Sequence, residues 1–244
     1  MTAVRQGVLL AQWQLRRQSQ AMPLLVVVQI ILSVATVVGY GLLVGDPTPE
    51  VALFLATGAP TVTLITVGLV MTPQLVAQAK TEGSLDWMRT LPVPRSMFLL
   101  SDLVVWTLLA LPGMVLGVVA GVLRFHITLS LAPWVVLGAL VISLTAASVG
   151  YAMASVLPPT LAMLMTQVLV FVVLLFSPVS YPSDRMPEWL QSAHHYLPIE
   201  PMAQVMRSGL AHDTFSVPGR SWLLLTLWCV ASVVLALRAL RRRI

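Results

Sequence analysis

Lys80 is the only lysine in the chain, and Thr81 follows it, the residue pair that closes a phosphate-binding P-loop. Such a loop needs glycine directly before the lysine and again five residues earlier. Ala79 and Gln74 stand there instead. No backbone cradle for phosphates is expected, so the chain is not expected to hydrolyse ATP by itself. The four histidines are His126, His194, His195 and His212, and none falls in a His-Glu-x-x-His pattern. Adjacent His194 and His195 point to different faces of a helix, poor geometry for a metal. They read as histidines at a membrane rim, and no metal is expected. No Gly-x-Ser-x-Gly nucleophile turn occurs. Asp102 is the acidic group nearest the interior of an apolar run. It lies close enough to that run's end to be hydrated near Arg95, and reads as structural. No catalytic residue is assigned.

What must position these groups is an apolar chain. Of 244 residues, 58% are hydrophobic and 9% charged, with a mean hydropathy of +0.90. A water-facing domain carries roughly 25% charged residues. Runs of about 20 apolar residues mark helices that cross a bilayer. The formal charge of +5 sits at the ends of these runs, where it sets topology and does not point to nucleic acid. The single cysteine, Cys229, lies deep in the last run and excludes an intrachain disulfide. Asparagine is absent, so there is no N-glycosylation acceptor. Residues 1–21 are too polar for the apolar region of a signal peptide, and none is expected.

The fold class expected is an all-α integral membrane protein forming one transmembrane domain over 1–244. Residues 4–20 place Val4, Val8, Ala11 and Leu15 on one stripe and read as a helix in the headgroup layer. Spans are expected at 22–44, 52–78, 97–123, 131–156, 160–178 and 221–239, the second broken by Pro60 and Pro73. Pro158-Pro159 makes the tight turn between the fourth and fifth. The stretch 179–219 is rich in proline and half apolar, and reads as an outer re-entrant segment with short helices near 186–194 and 200–210. Six spans put both termini on one face. Ten basic residues share that face, among them Arg5, Arg16, Arg17, Lys80, Arg89, Arg95 and the C-terminal arginines. The other face holds Arg124, Arg185, Arg207 and Arg220. The richer face is expected to be cytoplasmic.

Residues 79–95 form a charged, Gly- and Pro-punctuated island on that face. Ser84 can cap a short helix over 84–91, with Asp86 in its first turn and Pro92 ending it. Leu85, Trp87, Met88 and Leu91 give this helix a broad apolar face. It suits either the bilayer surface or a groove on a soluble partner.

Two segments carry a family resemblance. Glu82-Gly83-Ser84-Leu85-Asp86-Trp87-Met88 followed by Leu91-Pro92-Val93-Pro94-Arg95 is one. Ser177-Pro178, Tyr181-Pro182 and Met186-Pro187-Glu188-Trp189 make the other. Their order and loop placement resemble the membrane subunits of ABC exporters of the type-2 permease family, which includes drug-resistance and polysaccharide exporters. Glu200-Pro201 replaces that family's frequent Asn-Pro, and Ser84 and Asp86 stand where Thr and Glu are common. The resemblance implies a permease pairing with itself or a related permease above two separate ATPase subunits, which hold ATP and Mg. It implies a coupling helix contacting the ATPase through Glu82, Gly83, Leu85, Asp86, Trp87, Met88 and Leu91. It implies an outer gate built from Tyr181, Pro182, Pro187, Trp189, Pro198 and Pro201, and a bacterial inner membrane with cytoplasmic termini.

Aromatic residues make up only 7% of the chain, few for stacking along a sugar path. The Val-, Leu- and Met-rich spans with sparse polar positions suit an amphiphilic drug or lipid better. Thr63, Thr66, Met163 and Gln167 are the expected path residues. An ion-coupled secondary transporter would need charged sites near the midplane, and none is found there. A lipid-modifying enzyme would need a paired acid and base. A non-transporting assembly subunit is a third alternative.

Overall fold

The computed structural model describes residues 3–19, 22–45, 47–84, 94–179, 182–183 and 186–241. Six of its helices are long and apolar enough to cross a membrane, and the described residues contain no strand, only an isolated bridge between Ser130 and Ala211. In lipid a backbone amide finds no water, so an apolar run of this length closes its hydrogen bonds within itself as a helix. The chain is a multi-pass membrane protein of all-α class.

Helix α1 (Ala3–Gln18) precedes the first crossing helix, α2 (Met22–Val44). The second crossing comprises α3 (Pro49–Thr66), a π-helical turn (Val67–Met71) and α4 (Thr72–Thr81). The third is α5 (Arg95–Phe125), the fourth α6 (Val135–Val156) and the fifth α7 (Pro159–Phe176). Two short helices follow, α8 (Glu188–His194) and α9 (Ile199–Leu210), before the sixth crossing, α10 (Gly219–Arg241). Pro49 and Pro159 each open a helix, where a missing N–H leaves no bond unmade.

The second crossing is the axis of the bundle. It runs for 33 residues from Pro49 to Thr81, and 89% of its apolar stretch is buried, against 28%, 17% and 17% for those of the first, fifth and sixth crossings within a single chain. Pro60 and Pro73 do not break it, contrary to the expectation from their positions. Threonine hydroxyls bond back to carbonyls one turn earlier, Thr57 to Leu53 at 2.8 Å and Thr61 to Thr57 at 3.2 Å, so they are satisfied inside the rod. The π turn lies directly before Pro73. Its wider ring takes up the proline that an α turn would drive into the carbonyl four residues back.

Small residues let the neighbours approach this axis, as expected where lipid supplies no hydrophobic drive between helices. Gly68 on the π turn meets Ala146 and Gly150 of α6 backbone to backbone. On the other side α5 packs through Gly113, Gly117 and Gly121 against Thr63, Pro60 and Ala56. Helix α10 covers the far face of α6, and α2 lies across α3 and α5.

A polar seam crosses three of these helices. Gln29 of α2 is buried, and its amide donates to the Leu109 carbonyl at 3.0 Å while accepting the Gly113 N–H at 3.0 Å. These two groups are the step of α5 that brackets Pro112. The Ser33 hydroxyl lies 2.7 Å from Thr63 and 3.1 Å from the Gly113 carbonyl. The side chain thus supports α5 at the point where proline weakens its ladder.

Helix α1 packs on the start of α5, with the Ser101 hydroxyl donating to the Gly7 carbonyl at 3.0 Å. Ala11 and Leu15 pack against the core and Gln14 is buried, but Val8 is exposed, along with Leu9 and Trp13. The buried stripe is therefore rotated toward Gly7 and Gln14 from the one the apolar residues suggest.

Candidate functional site

At the end of the bundle where α4 stops, three local bonds and one glycine turn shape the start of the island. Gln78 donates to the Glu82 carboxylate at 2.6 Å, and the Thr81 hydroxyl donates to the Gln78 carbonyl at 2.8 Å. Gly83 takes a φ of +71°, the left-handed turn that ends a helix and that glycine adopts without strain. The Ser84 hydroxyl donates back to the Ala79 carbonyl at 3.2 Å. Of the expected coupling residues, Glu82 and Gly83 therefore form the exit from α4. Leu85, Asp86, Trp87, Met88 and Leu91 lie outside the described residues, as does most of the helix expected over 84–91.

Lys80 has a role that the P-loop comparison misses. Its ammonium donates to the carbonyls of Ala154 at 2.5 Å, Ser155 at 3.1 Å and Leu157 at 3.2 Å. These close the end of α6. The positive charge also meets the negative end of that helix. The signal was present in the sequence as Pro158-Pro159, two residues that remove helix-terminal donors, but nothing in the sequence pairs them with position 80.

At the opposite end the short helices are tied to three crossings. Pro187 precedes α8 and Pro198 precedes α9, each at the cap position. The buried His194 imidazole sits with Nε2 2.7 Å from the Phe176 carbonyl, at the end of α7. His194 thus caps the end of that crossing from inside, while His195 stays exposed against Arg220. Trp228 Nε1 donates to the Tyr196 carbonyl at 2.8 Å, and the Ser221 hydroxyl donates to Gln204 at 2.5 Å, which binds α10 to the short helices. Among the expected gate residues, Trp189 is 71% exposed, Pro198 and Pro201 are buried, and Pro182 is half-buried. Tyr181 lies outside the described residues.

Among the described residues, Arg207 of α9 is the buried cation at this end. It donates to the Val179 carbonyl at 2.9 Å and lies over the Phe54 ring, 3.5 Å from its centroid, with Phe215 at 5.8 Å. One planar head thus joins the axis helix, the segment leaving α7 and the return toward α10. Burial pushes its pKa down to about 9, against the pull of Glu200. It stays charged at neutral pH. A recess of about 520 Å³ lies nearby, lined by Pro47, Leu53, Arg124, His126 and Thr214 among others.

The expected path residues divide. Thr63 is buried in the seam with Ser33, and Thr66 is half-buried with its hydroxyl donating to the Val62 carbonyl at 2.8 Å. Met163 and Gln167 are exposed, one turn apart on α7. Beside them Gln74 of the axis donates to the Thr166 hydroxyl at 3.3 Å. The fold therefore places Met163 and Gln167 together, away from Thr63. Gln29 and Ser33 were not singled out by sequence. A polar pair four residues apart in the first span, set against the Pro112-Gly113 of the third, was the available signal.

A family model described as ABC-2 type transporter matches residues 5–211. Comparison with curated proteins gives no match. The chain belongs to the ABC-2 type transporter family, and so is a permease component of an ABC transporter that works with an ABC ATPase partner.

Proposed function

From a permease of the ABC-2 type as the premise, we propose that this chain exports an amphiphilic, drug-like or lipid-like molecule across a bacterial cell membrane. Two copies, or one copy with a related permease, stand above two ATPase subunits that bind ATP and Mg. The termini and the 79–95 island face the cytoplasm, in keeping with the excess of basic residues there. The helix at 84–91 sits in a cleft of the ATPase. Nucleotide binding moves it, and the spans pass from inward-open to outward-open. ATP must bind the outward state more tightly than the inward one, since equal affinity shifts no population. The short helices around Pro187, Trp189, Pro198 and Pro201 act as the outer gate.

One observation carries the reading. The rod that leads into the island is also the buried axis of the bundle, continuous over 33 residues and enclosed by its neighbours. A displacement of the island is therefore delivered to the centre of the fold and not to a peripheral helix. The apolar, methionine-containing face of α7 with Gln167 at its middle supports an amphiphilic cargo.

The test is reconstitution of the chain with its ABC ATPase into liposomes carrying a fluorescent short-chain phospholipid analogue. Expected is movement of the analogue between leaflets that needs ATP and stops when the P-loop lysine of the ATPase is replaced. Movement driven by an ion gradient without the ATPase would support a secondary transporter. Chemical conversion of the lipid would support the enzyme alternative.

A further inference from the structure

Two of the three carbonyls that Lys80 contacts are ones that Pro158 and Pro159 leave without donors. In an α-helix the carbonyl of residue i accepts the N–H of residue i+4. For Ala154 that residue is Pro158, and for Ser155 it is Pro159. Neither has an N–H. The carbonyl of Met153, one position earlier, is served normally by Leu157 at 3.0 Å. The helix thus ends in two carbonyls with no backbone donor, and the only lysine of the chain, 74 residues away, supplies both. It adds a third bond to Leu157, which holds the turn into α7 as well as the end of α6.

Lys80 is also the second-last residue of α4, directly before the Gly83 turn into the 79–95 island. We propose that Lys80 is the positioning residue that couples the island to the turn between the fourth and fifth crossings. This rests on the reading of the island as the contact with the ATPase. Helix α4 also packs along the sides of α6 and α7, where Gln74 makes a single bond to the Thr166 hydroxyl at 3.3 Å. Lys80 makes three to the end of α6 and the turn that follows it. When the island moves, Lys80 carries the 154–159 turn with it, and α7 with its exposed Met163 and Gln167 face follows. The lysine is thus a tether as well as a cap, and the two roles are separable. Leu157 is extended in the fold, so the helix has ended there; alanine at 158 and 159 supplies the N–H groups that let α6 run on by a turn and serve its own carbonyls, but leaves nothing to connect them to α4.

The experiment uses the reconstituted complex of the chain with its ABC ATPase. A reporter cysteine is placed at Val168 on α7, exposed within one chain, on a Cys229→Ala background. The readouts are the labelling rate by N-ethylmaleimide with and without ATP plus vanadate, and thermal unfolding of the purified chain. With Lys80 present, the nucleotide is expected to change labelling at least about three-fold. Lys80→Met lowers the unfolding temperature and cuts the response to under about 1.5-fold. Adding Pro158→Ala and Pro159→Ala to Lys80→Met restores the unfolding temperature but not the response. A response that returns with stability in the triple variant overturns the tether and leaves a cap alone. Failure of the alanines to restore stability also overturns the proposal, because the lysine is then not replacing the donors the prolines lack. A normal response in Lys80→Met does so too. If the chain with Lys80 intact shows no response to nucleotide while bound to the ATPase, the reading of the island fails first and takes the tether with it.

Discussion

Gly150 is the position where one methyl group should do the most damage. A Cβ built there stands more than an ångström inside ordinary contact with the Gly68 carbonyl oxygen, and 2.9 Å from Cδ of Pro73. Both obstacles belong to the axis rod: one is backbone and the other a proline ring, and neither can rotate away. The fourth crossing must therefore lift off the π turn, which opens the Ala146 contact as well. Overpacking of a tight core costs about 1–3 kcal/mol, and a clash with immobile atoms falls at the upper end. For a chain of this size about 3 kcal/mol corresponds to roughly 6–12 °C in unfolding temperature. Gly39→Ala is the matched control, since nothing lies within 4 Å of its Cβ, and it should shift the transition by under about 2 °C. Thermal unfolding in detergent, followed by circular dichroism, reads both. Equal transitions for Gly150→Ala and Gly39→Ala would refute the close approach of the second and fourth crossings.

Gln29→Leu removes the amide that bridges Leu109 and Gly113; because those two groups can still serve each other, the expected cost is about 1 kcal/mol, measured by the same unfolding assay. At Arg207 the conservative change is expected to be the worse one. Arg207→Met keeps the packing on Phe54 and ends the burial of charge, so stability stays within about 1 kcal/mol. Arg207→Lys keeps a compact, strongly hydrated charge without the planar head, and should unfold earlier than Arg207→Met. The pH dependence follows from the same group. Its pKa in the fold is about 9, below the 12.5 of a free guanidinium, so the cost of burying its charge is fully present below pH 9 and is relieved as pH rises through it. Relative to Arg207→Met, the parent chain should therefore gain stability between pH 8 and pH 10.

The six crossings and the two punctuated segments were legible from residue order alone. Apolar runs of bilayer length leave the backbone one way to satisfy itself, and polar stretches punctuated by proline and glycine mark where that way ends. The family resemblance was legible for the same reason, since it lies in the placement of those segments. Residue order did not disclose that the second run is the enclosed axis and the first, fifth and sixth are not. Hydropathy is alike in all six, because lipid and protein neighbours both accept leucine and valine. Only packing separates them, through glycines whose missing side chains admit a neighbouring backbone. The same holds for Gln29, Lys80 and Arg207. Each is a polar group in an apolar setting, and sequence says that it needs a partner. The partner carbonyls lie on other helices or on a segment leaving one, between 28 and 80 residues away, and every residue carries a carbonyl. No pattern of side-chain types encodes which one is left without a donor once the bundle closes.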